Sequence, residues 1–154
     1  PQMMKGYWRR PDADAEVFVD GYLRTGDVAT IDADGYIRIV DRLKDMIVVG
    51  GFKVFPSQVE SILYHNPAVK EALVIGIPDP YRGESPKAFV TLKDDAEIDG
   101  DALMRWLNPQ LGKHERVVAV EIRESLPRTL VGKLSRKELV AEELAKHEAM
   151  RCHG

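Results

Sequence analysis

The sequence predicts an α+β fold from residue 45 onward, preceded by a β segment over residues 1–43. Three observations predict it. Alternating apolar runs flank Asp-Gly and Gly-Gly pairs, the residue pairs that tight hairpin turns select. Two segments place apolar residues at helical spacing behind a Ser-x-x-Glu capping signal. Strand and helix signals are mixed, without the strict alternation of a parallel βαβ protein.

The elements follow in order. "EVFVDGYLRTGD" (16–27) carries strand formers around a turn at Asp20-Gly21. "VATIDADGYIRIV" (28–40) reads as a hairpin, because Asp34-Gly35 suits the positive φ angles of its turn. "MIVV" and "FKVF" (46–49 and 52–55) are two short strands joined by Gly50-Gly51. "PSQVESILYHNP" (56–67) predicts a helix capped by Ser57 and Glu60, with Val59, Ile62 and Leu63 on one face and a stop at Asn66-Pro67. "AVKEALVIGIPD" and "PKAFVTLK" read as strands, and "DGDALMRWLNPQL" as a helix disturbed by Pro109. "RVVAVEIRE" (116–124) predicts a third long strand. "SRKELVAEELAKHEAM" (135–150) predicts a closing helix with Ser135 and Glu138 as its capping box. The pattern changes near Lys44, which is the best domain boundary: 1–43 and 44–154.

Composition narrows the function classes. The chain has 154 residues, 44% of them hydrophobic, enough for one packed domain and a piece of another. A net charge of −3 argues against a nucleic-acid partner. A single cysteine, Cys152, excludes an internal disulfide framework. No run is apolar for long enough to be a signal peptide or a membrane span, so a soluble cytoplasmic protein is expected. Pro1 is not a translation start, so either residues were removed or the chain is expected to be a piece of something longer. "DADG" (32–35) places its glycine wrongly for a calcium loop. His65, His114, His147 and His153 with Cys152 lack metal-ligand spacing.

Four stretches carry polar or glycine residues beyond what the fold needs. Asp27, after a Thr-Gly turn, can accept bonds from two adjacent hydroxyls, or can simply cap the turn. Arg42 in "DRLKD" offers a planar fork for hydroxyls or phosphate, or pairs with a nearby Asp on the surface. Gly50 and Gly51 can serve the hairpin turn, or leave room for a ligand against the backbone. "PRTLVGK" (127–133) has nearly the spacing of a phosphate-binding P-loop. It opens with Pro127 where glycine is needed, and it lacks the Ser or Thr after Lys133. An ammonium on such a loop can swing onto developing negative charge, or stay solvated.

Taken together, "GYLRTGD", "VDRLKDMIVVGGFKVFPSQVE", "GESPKAFVTLK" and "LPRTLVGKLSRKEL" resemble the C-terminal part of the adenylate-forming superfamily. Within it the chain is most similar to bacterial long- and medium-chain fatty acyl-CoA ligases, and the resemblance covers nearly the whole chain. It implies a small mobile domain, an antiparallel sheet with flanking helices, after a β segment from a large N-terminal domain. It implies activation of a fatty acid by ATP to an acyl-adenylate, with transfer to coenzyme A. Lys133 then resembles the lysine that contacts the reacting carboxylate and phosphate. Asp27 resembles the ribose ligand and Arg42 its partner. Lys44 resembles the hinge, Gly51 the glycine lining the pantetheine tunnel with Gly50 beside it, and Lys53 a coenzyme A contact. Magnesium, the phosphate loop, the adenine-stacking aromatic and acyl specificity are implied to reside upstream. A fragment without them is expected to be inactive alone, to self-associate through exposed strand edges, and to belong to an enzyme with peripheral membrane contact.

The sequence departs from the family pattern at Arg116, where proline is common, and in "TLVGK", which lacks a hydroxyl of the usual "TxSGK". Two rival readings stand beside it. One is an aryl-CoA ligase or a carrier-protein-loading adenylation domain. The other is a stand-alone module that binds coenzyme A or a partner without catalysis.

Overall fold

The computed structural model describes residues 3–151. Pro1, Cys152 and His153, on which sequence expectations rested, lie outside the described residues. The chain divides into two compact units, residues 1–44 and 45–154.

The first unit opens with a helix, α1 (Pro11–Val17), where a purely β segment was expected. The reason is local. Pro11 occupies the first turn, where its missing N–H costs nothing, and Asp12 and Asp14 lie near the helix's positive end. Two antiparallel hairpins follow. β1 (Phe18–Val19) and β2 (Tyr22–Leu23) are joined through Asp20 and Gly21, both at positive φ. β3 (Asp27–Ile31) and β4 (Ile37–Arg42) are joined through Asp32–Gly35. Asp32 Oδ1 accepts the backbone N–H groups of Asp34 and Tyr36, so the carboxylate of "DADG" closes the turn. Trp8 is 86% exposed, and Ile31, Tyr36, Ile37 and Ile39 of the second hairpin are also exposed.

The second unit is built on a five-stranded sheet. β5 (Ile47–Val49) and β6 (Phe52–Val54) form the expected hairpin, with Gly50 at φ 57° and Gly51 at φ 86°. These angles are those of a tight turn that a side chain disfavours at both positions. α2 (Pro56–Leu63) buries Pro56, Val59 and Leu63 on one face. Its cap is Phe55 and its first residue Pro56, so Ser57 stands inside the first turn and not at the cap the sequence assigned it. β7 (Val69–Asp79) and β8 (Gly83–Leu92) form the long antiparallel pair of the sheet. Asp79 closes their turn, accepting from the N–H groups of Tyr81 and Arg82 and from the Ser85 hydroxyl. α3 (Gly100–Leu107) is capped by Asp99, whose Oδ1 accepts from Ala102 N at 2.6 Å, and it ends just before Pro109, as its ring requires.

β9 (Ala119–Ile122) corrects the sequence in two respects. It has 4 residues where a long strand was expected, and it runs parallel to β8 on an otherwise antiparallel sheet. α4 (Arg136–Arg151) closes the described chain. Strand order is β6-β5-β8-β7, with β9 against β8.

Two cores flank the sheet. One joins α2 and α3 through Val59, Leu63, Leu103 and Leu107 to Val74 and Val90, with Trp106 packed against it. The other seats α4 through Leu139 on Leu73, Ile75 and Phe89. Alternate residues of β7 therefore face opposite cores, which is why its sequence is an almost unbroken apolar run. At the β8–β9–α4 seam Lys87 lies 2.8 Å from Glu121 and 2.9 Å from Glu143, while Arg123 reaches Glu121 and Glu142.

Candidate functional site

The seven residues singled out in the sequence fall in three places. Within the first unit, Asp27 and Arg42 are directly opposite in the β3–β4 register. Arg42 Nε lies 3.3 Å from Asp27 Oδ1, and the Asp27 side chain is 23% exposed. The turn before Asp27 is fixed by Gly26 at φ 75° and by Leu43 N donating to Gly26 O at 2.8 Å. Asp27 N donates to Thr25 Oγ1, so the backbone of "TGD" is tied on both sides. The cross-strand ion pair is the plain reading of Arg42, and it also presents a guanidinium and a carboxylate side by side to hydroxyl groups. Lys44 lies in the short 3₁₀ turn Leu43–Asp45, at the border of the two units.

Within the second unit, Gly50 and Gly51 form the β5–β6 turn, and Lys53 is exposed opposite Val48. A Cβ built on either glycine meets nothing within 4 Å. Positive φ alone accounts for both glycines here, and the space beside them is open. Gly50 N donates to Arg82 O at 2.8 Å, which brings the β7–β8 turn against the β5–β6 turn. Val49, Gly50, Tyr81, Arg82, Lys113 and His114 line a concavity of about 240 Å³ there. His114 stacks on Phe52 with ring centroids 3.7 Å apart, and Tyr81 is 94% exposed. Two cationic side chains and an unstacked aromatic beside a glycine turn suit a phosphate-bearing ligand with a flat ring. Sequence reading missed Tyr81, Arg82, Lys113 and His114. They come from two turns far apart in the chain, and nothing local marks them.

Lys133 ends a closed turn. Thr129 N donates to Lys133 O at 2.7 Å, Gly132 N to Thr129 O at 2.8 Å, and Ser135 N to Pro127 O at 2.8 Å. Lys133 N donates to Thr129 Oγ1 at 3.2 Å. Gly132 sits at φ 80°, the conformation that makes glycine the residue before the lysine. Leu130 and Val131 form the exposed tip. Among the described residues the Lys133 ammonium has no ion-pair partner. The resemblance to a P-loop is thus superficial: the backbone amides are spent on closing the turn instead of facing outward as a phosphate cradle.

Two arginines anchor this loop. Arg128 bonds Gly132 O at 2.7 Å and pairs with Glu71 of β7. Arg136, at the start of α4, donates from Nη2 to both carboxylate oxygens of Glu60, at 2.7 and 2.8 Å, and from Nε to Val74 O. Among the described residues no group of three or more His, Cys, Asp or Glu side chains is arranged to hold a metal ion. Nor, among them, is any helix long and apolar enough to cross a membrane.

Residues 58–133 match the family described as AMP-binding enzyme C-terminal domain. The chain is 49% identical to a feruloyl-CoA synthase from an Amycolatopsis species over 139 residues, 90% of this chain and 28% of that protein. It is 44% identical to a long-chain-fatty-acid–CoA ligase of Bacillus subtilis over 147 residues, 96% of this chain and 26% of that protein. Among solved structures it is similar to ATP-bound MatB of Rhodopseudomonas palustris, with a TM-score of 0.85, 37% identity and coverage of 90% and 28% of the two chains. The chain spans little more than a quarter of the length of these relatives.

Proposed function

Because residues 58–133 belong to the AMP-binding enzyme C-terminal domain family, and the chain to the C-terminal part of the adenylate-forming superfamily, we propose that it serves an acyl-CoA synthetase. The observation that carries this reading is Lys133, an exposed ammonium at the end of a turn whose backbone is hydrogen-bonded shut.

The chemistry asks for such a group. A carboxylate oxygen attacks the α-phosphorus of ATP. The new O–P bond forms as the bond to pyrophosphate breaks, and pyrophosphate leaves with the electron pair. Negative charge gathers on two anions forced together, and Lys133 supplies a cation at that point. In the second step the coenzyme A thiolate attacks the acyl carbonyl. A C–S bond forms, the C–O bond to AMP breaks, and AMP leaves with the electron pair, the thiol having given its proton to solvent beforehand. The second step needs no cation at the phosphate, which suits a lysine carried by a domain that turns away. Among the described residues no group of three or more His, Cys, Asp or Glu is arranged to hold a metal ion, and in this reading the magnesium that accompanies ATP is held mainly by the large domain.

The other assignments rest on the same reading. Residues 1–43 end a large domain and 44–154 form the mobile one, with Lys44 as hinge in a short 3₁₀ turn. Asp27 and Arg42 hold the ribose hydroxyls of ATP. Gly50 and Gly51 pass the pantetheine arm, with Lys53 beside them. Tyr81, Arg82, Lys113 and His114 take the adenosine phosphate end of coenzyme A. The exposed apolar residues of β3 and β4 favour self-association of the isolated chain, which light scattering over a concentration series tests. We place the enzyme in the cytoplasm, in peripheral contact with membranes that supply its substrate.

The acid is a fatty acid in this reading, supported by similarity to the Bacillus ligase. Similarity to the feruloyl-CoA synthase favours a second reading, an aromatic acid. A panel of fatty and aromatic acids, offered to the full-length enzyme with coenzyme A or a carrier protein, decides between them. Turnover with a carrier protein alone overturns the acyl-CoA reading. Lys133→Ala is expected to lower pyrophosphate release about 100- to 1,000-fold while thioester formation from supplied acyl-adenylate survives. Equal losses in both steps argue against the role. This chain alone should release no pyrophosphate.

A further inference from the structure

We propose that Arg128 and Glu71 are positioning residues for Lys133, so that the lysine loop travels as a preformed body instead of being shaped on arrival. This rests on the role given to Lys133 above.

The geometry is specific. One guanidinium touches two things: Nη1 donates to Gly132 O at 2.7 Å, and Nη2 to Glu71 Oε1. The Gly132 carbonyl belongs to the peptide that carries Lys133 N. Fixing that peptide plane fixes the direction in which Lys133 leaves the backbone. Gly132, at φ 80°, is the softest link in the turn, and its carbonyl is the one Arg128 holds. Glu71 lies 57 positions earlier on β7, the long strand at the end of the sheet order that pairs with β8 along its length, so the sheet is the reference frame. The turn's own bonds, Thr129 to Lys133 and Gly132 to Thr129, close the loop on itself. They do not orient it against the sheet. Leu126, Leu134 and Arg136 fasten the ends of the loop, and Arg128 ties the Gly132 peptide itself to the sheet, through two donors in a planar fork that lysine cannot reproduce.

Stability alone is a poor reason for this pair. The Arg128 side chain is 46% exposed and that of Glu71 24%, and ion pairs so open to solvent contribute little. A contact of small energetic worth that joins the catalytic peptide to the core sheet is better explained by aim. Small misplacement of a reacting group is costly, on the order of 100-fold for 1 Å.

The test uses the full-length synthetase and measures the two half-reactions separately. Arg128→Gln is expected to slow acyl-adenylate formation about 10- to 100-fold through kcat. It should leave thioester formation from supplied acyl-adenylate within about twofold, and the urea midpoint nearly unchanged. Glu71→Gln should act in the same direction and add little on top of Arg128→Gln, because both cut one connection. Arg128→Lys should restore part of the rate. In a Lys133→Ala background, Arg128→Gln should have no further effect. A slowing that persists in that background, or equal slowing of both half-reactions, overturns the proposal. The two readings fail differently. If Lys133→Ala is harmless, the role of the lysine falls and this inference with it. If Lys133→Ala is damaging and Arg128→Gln harmless, only the positioning role falls.

Discussion

Arg136 and Glu60 meet in a two-point contact, with Nη2 of the arginine 2.7 and 2.8 Å from the two carboxylate oxygens. Glu60 Oε1 also accepts from Val74 N at 2.8 Å, so one carboxylate joins α2, β7 and the first turn of α4. The Arg136 and Glu60 side chains are 23% and 12% exposed, which makes this pair more shielded than that of Arg128. Arg136→Ala should therefore destabilise the chain by about 2–3 kcal/mol, because it leaves a mostly buried carboxylate without its cation. Urea unfolding measures it, and a loss below about 0.5 kcal/mol would sink the assignment.

Acid should loosen the seam between β8, β9 and α4. Burial pushes the carboxyls of Glu121 and Glu143 up, but hydrogen bonds from Lys87 to both, with Arg123 at Glu121 and Lys146 at Glu143, bring them below their ordinary 4.5. A carboxylate lowered in the folded state contributes stability that is present above its unfolded value and lost as pH falls through the folded one. The loss should therefore begin near pH 5 and deepen on further acidification. Lys87→Met should flatten this acid limb when unfolding is followed across pH 3–7; an unchanged slope would refute the coupling.

Among the described residues the buried hydroxyl of Thr91 has no hydrogen-bond partner. Thr91→Val keeps the shape and removes the unpaired oxygen, so it should stabilise the chain by about 1 kcal/mol. A lower melting temperature in scanning calorimetry would count against that account.

Gly51 separates strain from obstruction. At φ 86° any side chain strains the turn, so Gly51→Ala and Gly51→Leu share that cost, about 1 kcal/mol. If the open space beside the turn receives pantetheine, Gly51→Leu should block thioester formation far more than Gly51→Ala, with adenylation spared in both. Equal effects of the two on the thioester step would leave turn geometry as the whole role of Gly51.

The concavity beside Gly50 predicts a dependence on salt. Arg82→Ala and Lys113→Ala should each raise KM for coenzyme A severalfold and weaken its ionic-strength dependence, as expected for cations facing phosphate. An unaltered KM at low salt in both variants would remove the nucleotide from this site.

What the sequence made legible was whatever local chemistry decides. Asp20-Gly21 and Gly50-Gly51 mark turns with both residues at positive φ, and Asp34-Gly35 marks one in which Gly35 alone of the pair takes it, because few residues tolerate that region. Pro109 marks the end of α3 for an equally local reason, whereas the Asp99 cap at its start emerges from the structure. Ser57 misled because Pro56 already fills the first helical position, which moves the cap back to Phe55. β9 was overestimated because Arg116–Val118 carry strand-like residues that leave the ladder before it begins. α1 was missed because the strand formers that follow it outweighed Pro11 and two acidic residues. The site shows the same division. Lys133 stood out by motif, whereas Arg128 with Glu71, and Tyr81 with His114, are long-range meetings with no local signal.

The two tryptophans have a practical consequence. Trp8 lies in the first unit, 86% exposed, and Trp106 in the second, packed against the core beneath the sheet. Water surrounds the first indole and the second is partly buried against side chains, so the first should emit at longer wavelength and yield more readily to acrylamide quenching. Trp8→Phe then leaves a single emitter inside the second unit. The molecule thus contains its own optical gauges, one in each unit, and the melting of either can be watched without attaching a dye.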